Sequence, residues 1–130
     1  MPSIQVDLPL TADEATKRAF AQRIGHIYGD IMQVAKDLLT VSIHDLGPGG
    51  VWRCHDSGPP TPSGLIMCDI RAGRPTETRA QLAQALINAC VETFALDALW
   101  LKVEFTQHEG TDMYHPHLAG FNTNWQGDER

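Results

Sequence analysis

The order of apolar and polar residues predicts a strand, a helix and a second strand in the first half of the chain. Residues 4–8 alternate between apolar and polar, which is the period of a half-buried strand. A helix is predicted to begin at a capping box formed by Thr11 and Glu14. Its apolar face carries residues at the spacing of an amphipathic helix, namely Phe20, Ile24, Ile27 and Ile31. Residues 39–43 alternate again and predict a strand, and the glycine-rich residues 47–50 predict a turn.

The same order of elements recurs about 62 residues later, which indicates an internal repeat. Residues 65–70 form the second apolar strand candidate, and Pro75 suits the first turn of a helix. Residues 100–105 predict the last strand of this half. The apolar helix positions of the two halves correspond, with Leu82, Leu86 and Ala89 matching Phe20, Ile24 and Ile27. Each half is therefore predicted to be one β-α-β unit.

Two right-handed β-α-β units placed side by side give a four-stranded mixed sheet with both helices on one face. We therefore predict a single α+β domain in four parts: unit one at 2–56, a linker at 57–64, unit two at 65–108 and a tail at 109–130. Met113, Tyr114, Phe121 and Trp125 are the predicted apolar anchors of the tail. The face of the sheet without helices needs cover, so we expect an oligomer.

Composition and net charge argue against a nucleic-acid-binding protein and against a membrane-spanning one. The net charge of −6 and the absence of a Lys/Arg run argue against nucleic-acid binding. No apolar stretch approaches the ~20 residues of a membrane span, and the N-terminus does not resemble a signal peptide. The three cysteines are odd in number and lack a CxxC spacing, so we expect reduced thiols and a cytoplasmic location. Cys68 and Cys90 fall within apolar segments and are predicted core residues.

The candidate chemistry lies at Pro2 and at two arginines. If Met1 is removed, Pro2 carries a secondary amine, and an exposed α-amine has a pKa near ~8. Burial and nearby cations, for which Arg71, Arg74 and Lys102 are candidates, lower such a pKa and suit the amine to proton transfer. Arg71 and Arg74 lie at a strand-to-helix junction, where a guanidinium and a helix N-terminus both favour a carboxylate. Taken alone, these arginines would be read as surface charges.

The Met-Pro start, the repeat over residues 2–108 and the segment IRAGR at 70–74 together resemble the fused branch of the tautomerase superfamily. IRAGR is similar to the R-x-G-R segment of cis-3-chloroacrylic acid dehalogenase, where two arginines grip the substrate carboxylate. VSIHDLGP at 41–48 is similar to malonate semialdehyde decarboxylase. The resemblance implies a homotrimer without a cofactor, Pro2 as general base or acid, and Arg71 and Arg74 as catalytic and carboxylate-binding residues.

The resemblance also suggests further substrate-binding residues. The dehalogenase has a histidine late in its first helix, for which this chain offers His26 or Tyr28, and the sequence leaves both open. Lys102 stands where 4-oxalocrotonate tautomerase, another member of the superfamily, has a second functional arginine, and the alternative is that Lys102 is an outward-facing strand lysine. Tyr114 is a candidate either for substrate contact or for anchoring the tail.

Two further positions depart from the patterns of these relatives. The glutamate that activates water in the tail of the dehalogenase has no clear counterpart, and Asp112 and His115 are the nearest polar residues. Where the decarboxylase has a key aspartate before its second strand, this chain has Leu38, with Asp37 one position away. These departures keep the reaction open among keto–enol tautomerisation, dehalogenation and decarboxylation.

The sequence therefore predicts an enzyme acting on a small 2-oxo or unsaturated carboxylate. The pairs His115–His117 and Cys54–His55 lack a complete zinc spacing, so no metal is expected. A non-catalytic, oligomeric small-anion-binding protein of the same fold is the alternative. A third reading, an unrelated ferredoxin-like domain, would give Pro2 no special role.

Overall fold

The computed structural model describes residues 2–123, which include the two predicted β-α-β units, and the predicted tail anchor Trp125 lies outside the described residues. The first unit consists of β1 (Ser3–Leu8), α1 (Glu14–Met32) and β2 (Thr40–Asp45). A short hairpin of β3 (Trp52–Arg53) and β4 (Thr61–Pro62) follows. The second unit consists of β5 (Gly64–Arg71), α2 (Thr76–Phe94) and β6 (Leu101–His108). A last hairpin pairs β7 (Tyr114–His115) with β8 (Gly120–Phe121). The bounds of α1 and α2 differ by the 62 residues of the sequence repeat.

The main sheet has the strand order β2-β1-β5-β6. β1 runs parallel to β2, β5 runs parallel to β6, and the two units meet where β1 pairs antiparallel with β5. Both helices contribute their apolar faces to one core on one side of this sheet, as the sequence predicts. The largest fully buried core side chains include Ile4, Leu8, Phe20, Ile24, Met32, Ile66, Ile70, Leu82 and Leu86.

The predicted starts of the helices need correction. The capping box of Thr11 and Glu14 is wrong, because α1 begins at Glu14 and is capped by Asp13, whose carboxylate accepts a 2.7 Å hydrogen bond from the backbone N–H of Thr16. A charged acceptor on that amide is a strong cap. These hydrogen bonds lower the pKa of Asp13. Pro75 lies immediately before α2 and not within its first turn.

The face of the sheet that lies away from the helices is mostly polar. His44 on β2 contacts Asp7 on β1 at 2.9 Å, in register across the parallel pair. Lys102 and Glu104 of β6 form a 2.6 Å ion pair on the same face. A partner that covers this face would therefore meet hydrogen-bonding groups more than apolar ones. Among residues 2–123, no helix is long and apolar enough to cross a membrane.

Two buried thiols should make the protein sensitive to alkali. Cys68 and Cys90 lie in the core as predicted, and burial raises the pKa of each thiol from 9.0 to about 12. The unfolded chain therefore loses these protons first, so stability is fully present below pH 9 and falls as pH rises towards 12. Each thiol should lower the free energy of unfolding by roughly 1 kcal/mol between pH 8 and pH 10.

Urea unfolding at these two pH values measures this loss. Cys68→Ala should lower stability at both pH values but reduce the difference between them. Cys54→Ser is the matched control, because Cys54 is exposed and its replacement should leave that difference unchanged. If Cys68→Ala loses as much stability between pH 8 and pH 10 as the wild type does, the Cys68 thiol is not the source of that loss.

Candidate active site

Four residues singled out from the sequence meet at one small cavity at the end of the main sheet. Pro2, Tyr28, Arg71 and Arg74 line it together with two apolar side chains, Val34 and Leu38. Its volume of about 20 Å³ is room for one water-sized molecule. The structure therefore brings together residues that are far apart in the sequence, within a single chain.

Strand pairing fixes the position of Pro2. Pro2 is buried directly before β1, and its carbonyl oxygen accepts a 3.1 Å hydrogen bond from the N–H of Thr40 at the start of β2. β5 runs antiparallel beside β1, so the end of β5 lies next to the beginning of β1. Arg71 is the last residue of β5 and therefore reaches the cavity beside Pro2.

The turn from β5 to α2 brings the second arginine to the same cavity. Gly73 has a φ of 105°, a conformation that residues with a side chain rarely adopt, and it lies in the four-residue turn between Arg71 at the end of β5 and Thr76 at the start of α2. Arg74 is buried, and its Nη1 donates a 2.9 Å hydrogen bond to the carbonyl oxygen of Met32, the last residue of α1. Arg74 thus satisfies a terminal helix carbonyl and places its positive charge at the negative end of the helix dipole.

Helix geometry separates the two candidates on α1. Tyr28 is 2% exposed and faces the cavity. His26 lies two residues earlier, about 200° around the helix, where its ring is exposed and contacts Lys36 Nζ at 2.8 Å. Burial raises the pKa of Tyr28 to about 12, partly opposed by the positive charges of Arg74 and Arg71. The phenol is therefore a neutral hydrogen-bond donor throughout the physiological range.

The remaining predicted residues lie elsewhere in the same chain. Lys102 is at the beginning of β6, and His108, the partner of Arg71 in the sheet register, is six residues further on, about 20 Å away along the strand. Tyr114 is exposed, packs edge-on against Phe121, and lines a groove on the polar face of the sheet. Asp112 and His115 line that groove too, and not the cavity of Pro2.

Two residues that line the cavity were not predicted from the sequence. Val34 carried no signal, because it lies between α1 and the following 3₁₀ turn at Lys36–Leu38. Leu38 was noted only as a departure from the decarboxylase, and in the structure it makes that wall apolar. In the part of the chain that the structure describes, no group of three or more His, Cys, Asp and Glu side chains could hold a metal ion.

Solved structures with the same fold are tautomerase-superfamily members. A fused 4-OT that forms a symmetric trimer is 19% identical with a TM-score of 0.78, over 93% of this chain and 95% of its own. Pt0534, crystallised after inactivation by 2-oxo-3-pentynoate, is 19% identical with a TM-score of 0.75, over 94% of each chain. N1, a member of the cis-3-chloroacrylic acid dehalogenase family, is 21% identical with a TM-score of 0.73, over 87% of this chain and 79% of its own.

No protein-family model matches the sequence, and no curated protein matches it either. The structural likeness at this identity confirms the tautomerase-type α+β fold predicted from the sequence, and the fold alone.

Proposed function

We propose that the protein is a tautomerase-type enzyme that binds a small 2-oxo or unsaturated carboxylate and transfers a proton with the amine of Pro2. The observation that carries this proposal is the meeting of Pro2 with Arg71 and Arg74 around one cavity. Removal of Met1 would turn the buried nitrogen of Pro2 into a secondary amine at a fixed position. Burial and two neighbouring guanidinium groups favour the uncharged form of that amine, which can accept a proton.

The two arginines are proposed to have different parts in binding the carboxylate. Arg74 is held by the carbonyl of Met32, so its charge is fixed in the wall of the cavity. Arg71 is only half-buried and ends a strand, so its guanidinium can present a fork to an incoming carboxylate. Their combined charge also stabilises the negative oxygen of an enolate as it forms.

Tyr28 and Leu38 favour tautomerisation among the reactions that the fold supports. Ketonisation of an enol acid breaks one O–H bond and forms one C–H bond, and it consumes no water. The Tyr28 phenol can donate a hydrogen bond to the enol or oxo oxygen, and an apolar wall at Leu38 suits a step from which water is excluded. Dehalogenation by hydration needs a group that activates water, and the polar tail residues Asp112 and His115 lie in another groove.

We further propose that the protein acts as a homotrimer, as one fused 4-OT of the same fold does. The cavity is too small for a substrate of six or more non-hydrogen atoms, and among residues 2–123 the outer strands of the main sheet are β2 and β6, where another subunit could pair. In such an assembly Lys102 could reach only the cavity of a neighbouring subunit, since it lies far from Pro2 in its own. Light scattering should give the mass of three chains, and a monomer would contradict this assembly.

One experiment on a single preparation tests the enzymatic proposal. An intact mass lacking Met1 should accompany ketonisation of phenylenolpyruvate or 2-hydroxymuconate, followed by ultraviolet absorbance. Treatment with 2-oxo-3-pentynoate, which inactivates Pt0534, should abolish turnover and add one label to the N-terminal peptide at Pro2. A protein that lacks Met1 but neither turns over these acids nor takes the label would favour the anion-binding alternative.

A further inference from the structure

The segment after β6 returns to Arg71, which lines the cavity of Pro2. After β6 the chain forms the hairpin of β7 and β8, and the backbone N–H of Asn122 closes it with a 3.3 Å hydrogen bond to the carbonyl of Met113. This hairpin places the side chain of Asn122 against Arg71. A residue from the tail therefore contacts the arginine that the proposed function assigns to substrate binding.

The chemistry of the two groups decides the orientation of the Asn122 amide. A guanidinium carries only donors, so the amide oxygen and not its NH₂ group must face Arg71. In this orientation the oxygen accepts hydrogen bonds from Nη1, at 3.3 Å, and from Nη2. Hydrogen bonds to a charged donor are stronger than neutral ones, so this contact can fix the plane of a guanidinium that is only half-buried.

Asn122 and Pro2 line different cavities. Asn122 lines a separate cleft together with Glu109, Gly110, Thr111 and Thr123, whereas Arg71 lines the cavity of Pro2. Arg71 therefore contacts a residue of the tail and also lines the cavity of Pro2.

We propose that Asn122 is a positioning residue that aims the Arg71 guanidinium at the substrate carboxylate. This inference rests on the proposed function, and it adds the C-terminal hairpin to the machinery of the site. Asn122 itself does not touch the substrate. A neutral amide orients the guanidinium without adding a negative charge beside it, whereas a carboxylate at this position would add one.

Steady-state kinetics of Asn122 variants test the inference. Asn122→Ala should raise KM about tenfold and change kcat by less than threefold, because a guanidinium that has lost this hydrogen bond is oriented less well for the carboxylate in ground and transition states alike. Asn122→Asp keeps the shape and the acceptor but pairs Arg71 with a charge, so it should raise KM at least as much. Thr123→Ala, one residue along the same segment, is the matched control and should keep both constants.

A double-mutant cycle shows whether the effect passes through Arg71. In an Arg71→Ala background, Asn122→Ala should have no further effect on KM. An unchanged KM in the single variant Asn122→Ala would overturn the inference. A lowered KM would overturn it too, and would show that Asn122 competes with the substrate for Arg71. If Arg71→Ala itself keeps wild-type kinetics, the proposed carboxylate site fails, which distinguishes that failure from failure of the role of Asn122.

Discussion

A protein in which Met1 is retained should lose turnover by a factor of ~10²–10⁴, which is the usual contribution of a positioned general acid or base. The nitrogen of Pro2 is then an amide without a basic lone pair, so it can neither accept nor donate the proton. The rest of the site should be unaffected, because Tyr28, Arg71 and Arg74 are held by other elements. The loss should therefore appear in kcat, with the affinity for a competitive carboxylate inhibitor changed far less.

Adding one or two residues before Pro2 gives the blocked protein in defined form, and the same residues added at the C-terminus give the matched control. Pro2→Ala is an intermediate case, since it keeps an amine but loses the rigid ring. Its turnover should fall between those of the blocked and unblocked proteins. Full activity in the blocked protein would remove Pro2 from the mechanism and leave the arginines as a binding site alone.

The fold could be predicted because its signals are local and are repeated. Alternation in β1 and the spacing of Phe20 and Ile24 on α1 depend only on which face of an element is buried, and the structure buries those faces. The recurrence of the same pattern after 62 residues then predicted the second unit and the mixed sheet. The predicted start of α1 was wrong because Thr11, Asp13 and Glu14 all suit a helix terminus. The residue that forms the cap depends on the path of the turn between β1 and α1.

The candidate site was predictable where it follows from strand ends, and not where it depends on packing between distant segments. Pro2 directly precedes β1, and Arg71 ends the neighbouring strand β5. The antiparallel pairing of these two strands brings the two residues together. The choice between Tyr28 and His26 depends on which face of α1 is turned towards the cavity. The mixed apolar pattern of that helix did not determine its rotation about its own axis. The contact of Asn122 depends on the path of the final hairpin, and no local pattern in the sequence encodes that path.

Loss of either cavity arginine should reduce kcat/KM by roughly 10²-fold, the usual consequence of removing one partner of a close charge pair. Arg71→Ala should act mainly through KM and leave stability near that of the wild type, because the side chain is only half-buried. Arg74→Ala should in addition lower stability by ~1–3 kcal/mol, because the carbonyl of Met32 loses its donor and a buried space opens. Both variants remove one positive charge. Kinetics should therefore show a loss of activity in both, whereas urea unfolding should show a clear loss of stability only in Arg74→Ala.

The lysine variants separate charge from geometry. Arg71→Lys keeps the charge but loses the planar fork, so it should restore only part of the affinity that Arg71→Ala loses. Arg74→Lys should restore part of the stability as well, if its ammonium reaches Met32. Arg18→Ala is the control for net charge, because Arg18 pairs with Glu14 on the exposed face of α1, away from the cavity. Equal losses of activity in Arg18→Ala and Arg71→Ala would mean that the overall charge of the protein attracts the substrate, whereas a loss confined to Arg71 and Arg74 identifies their cavity as the carboxylate site.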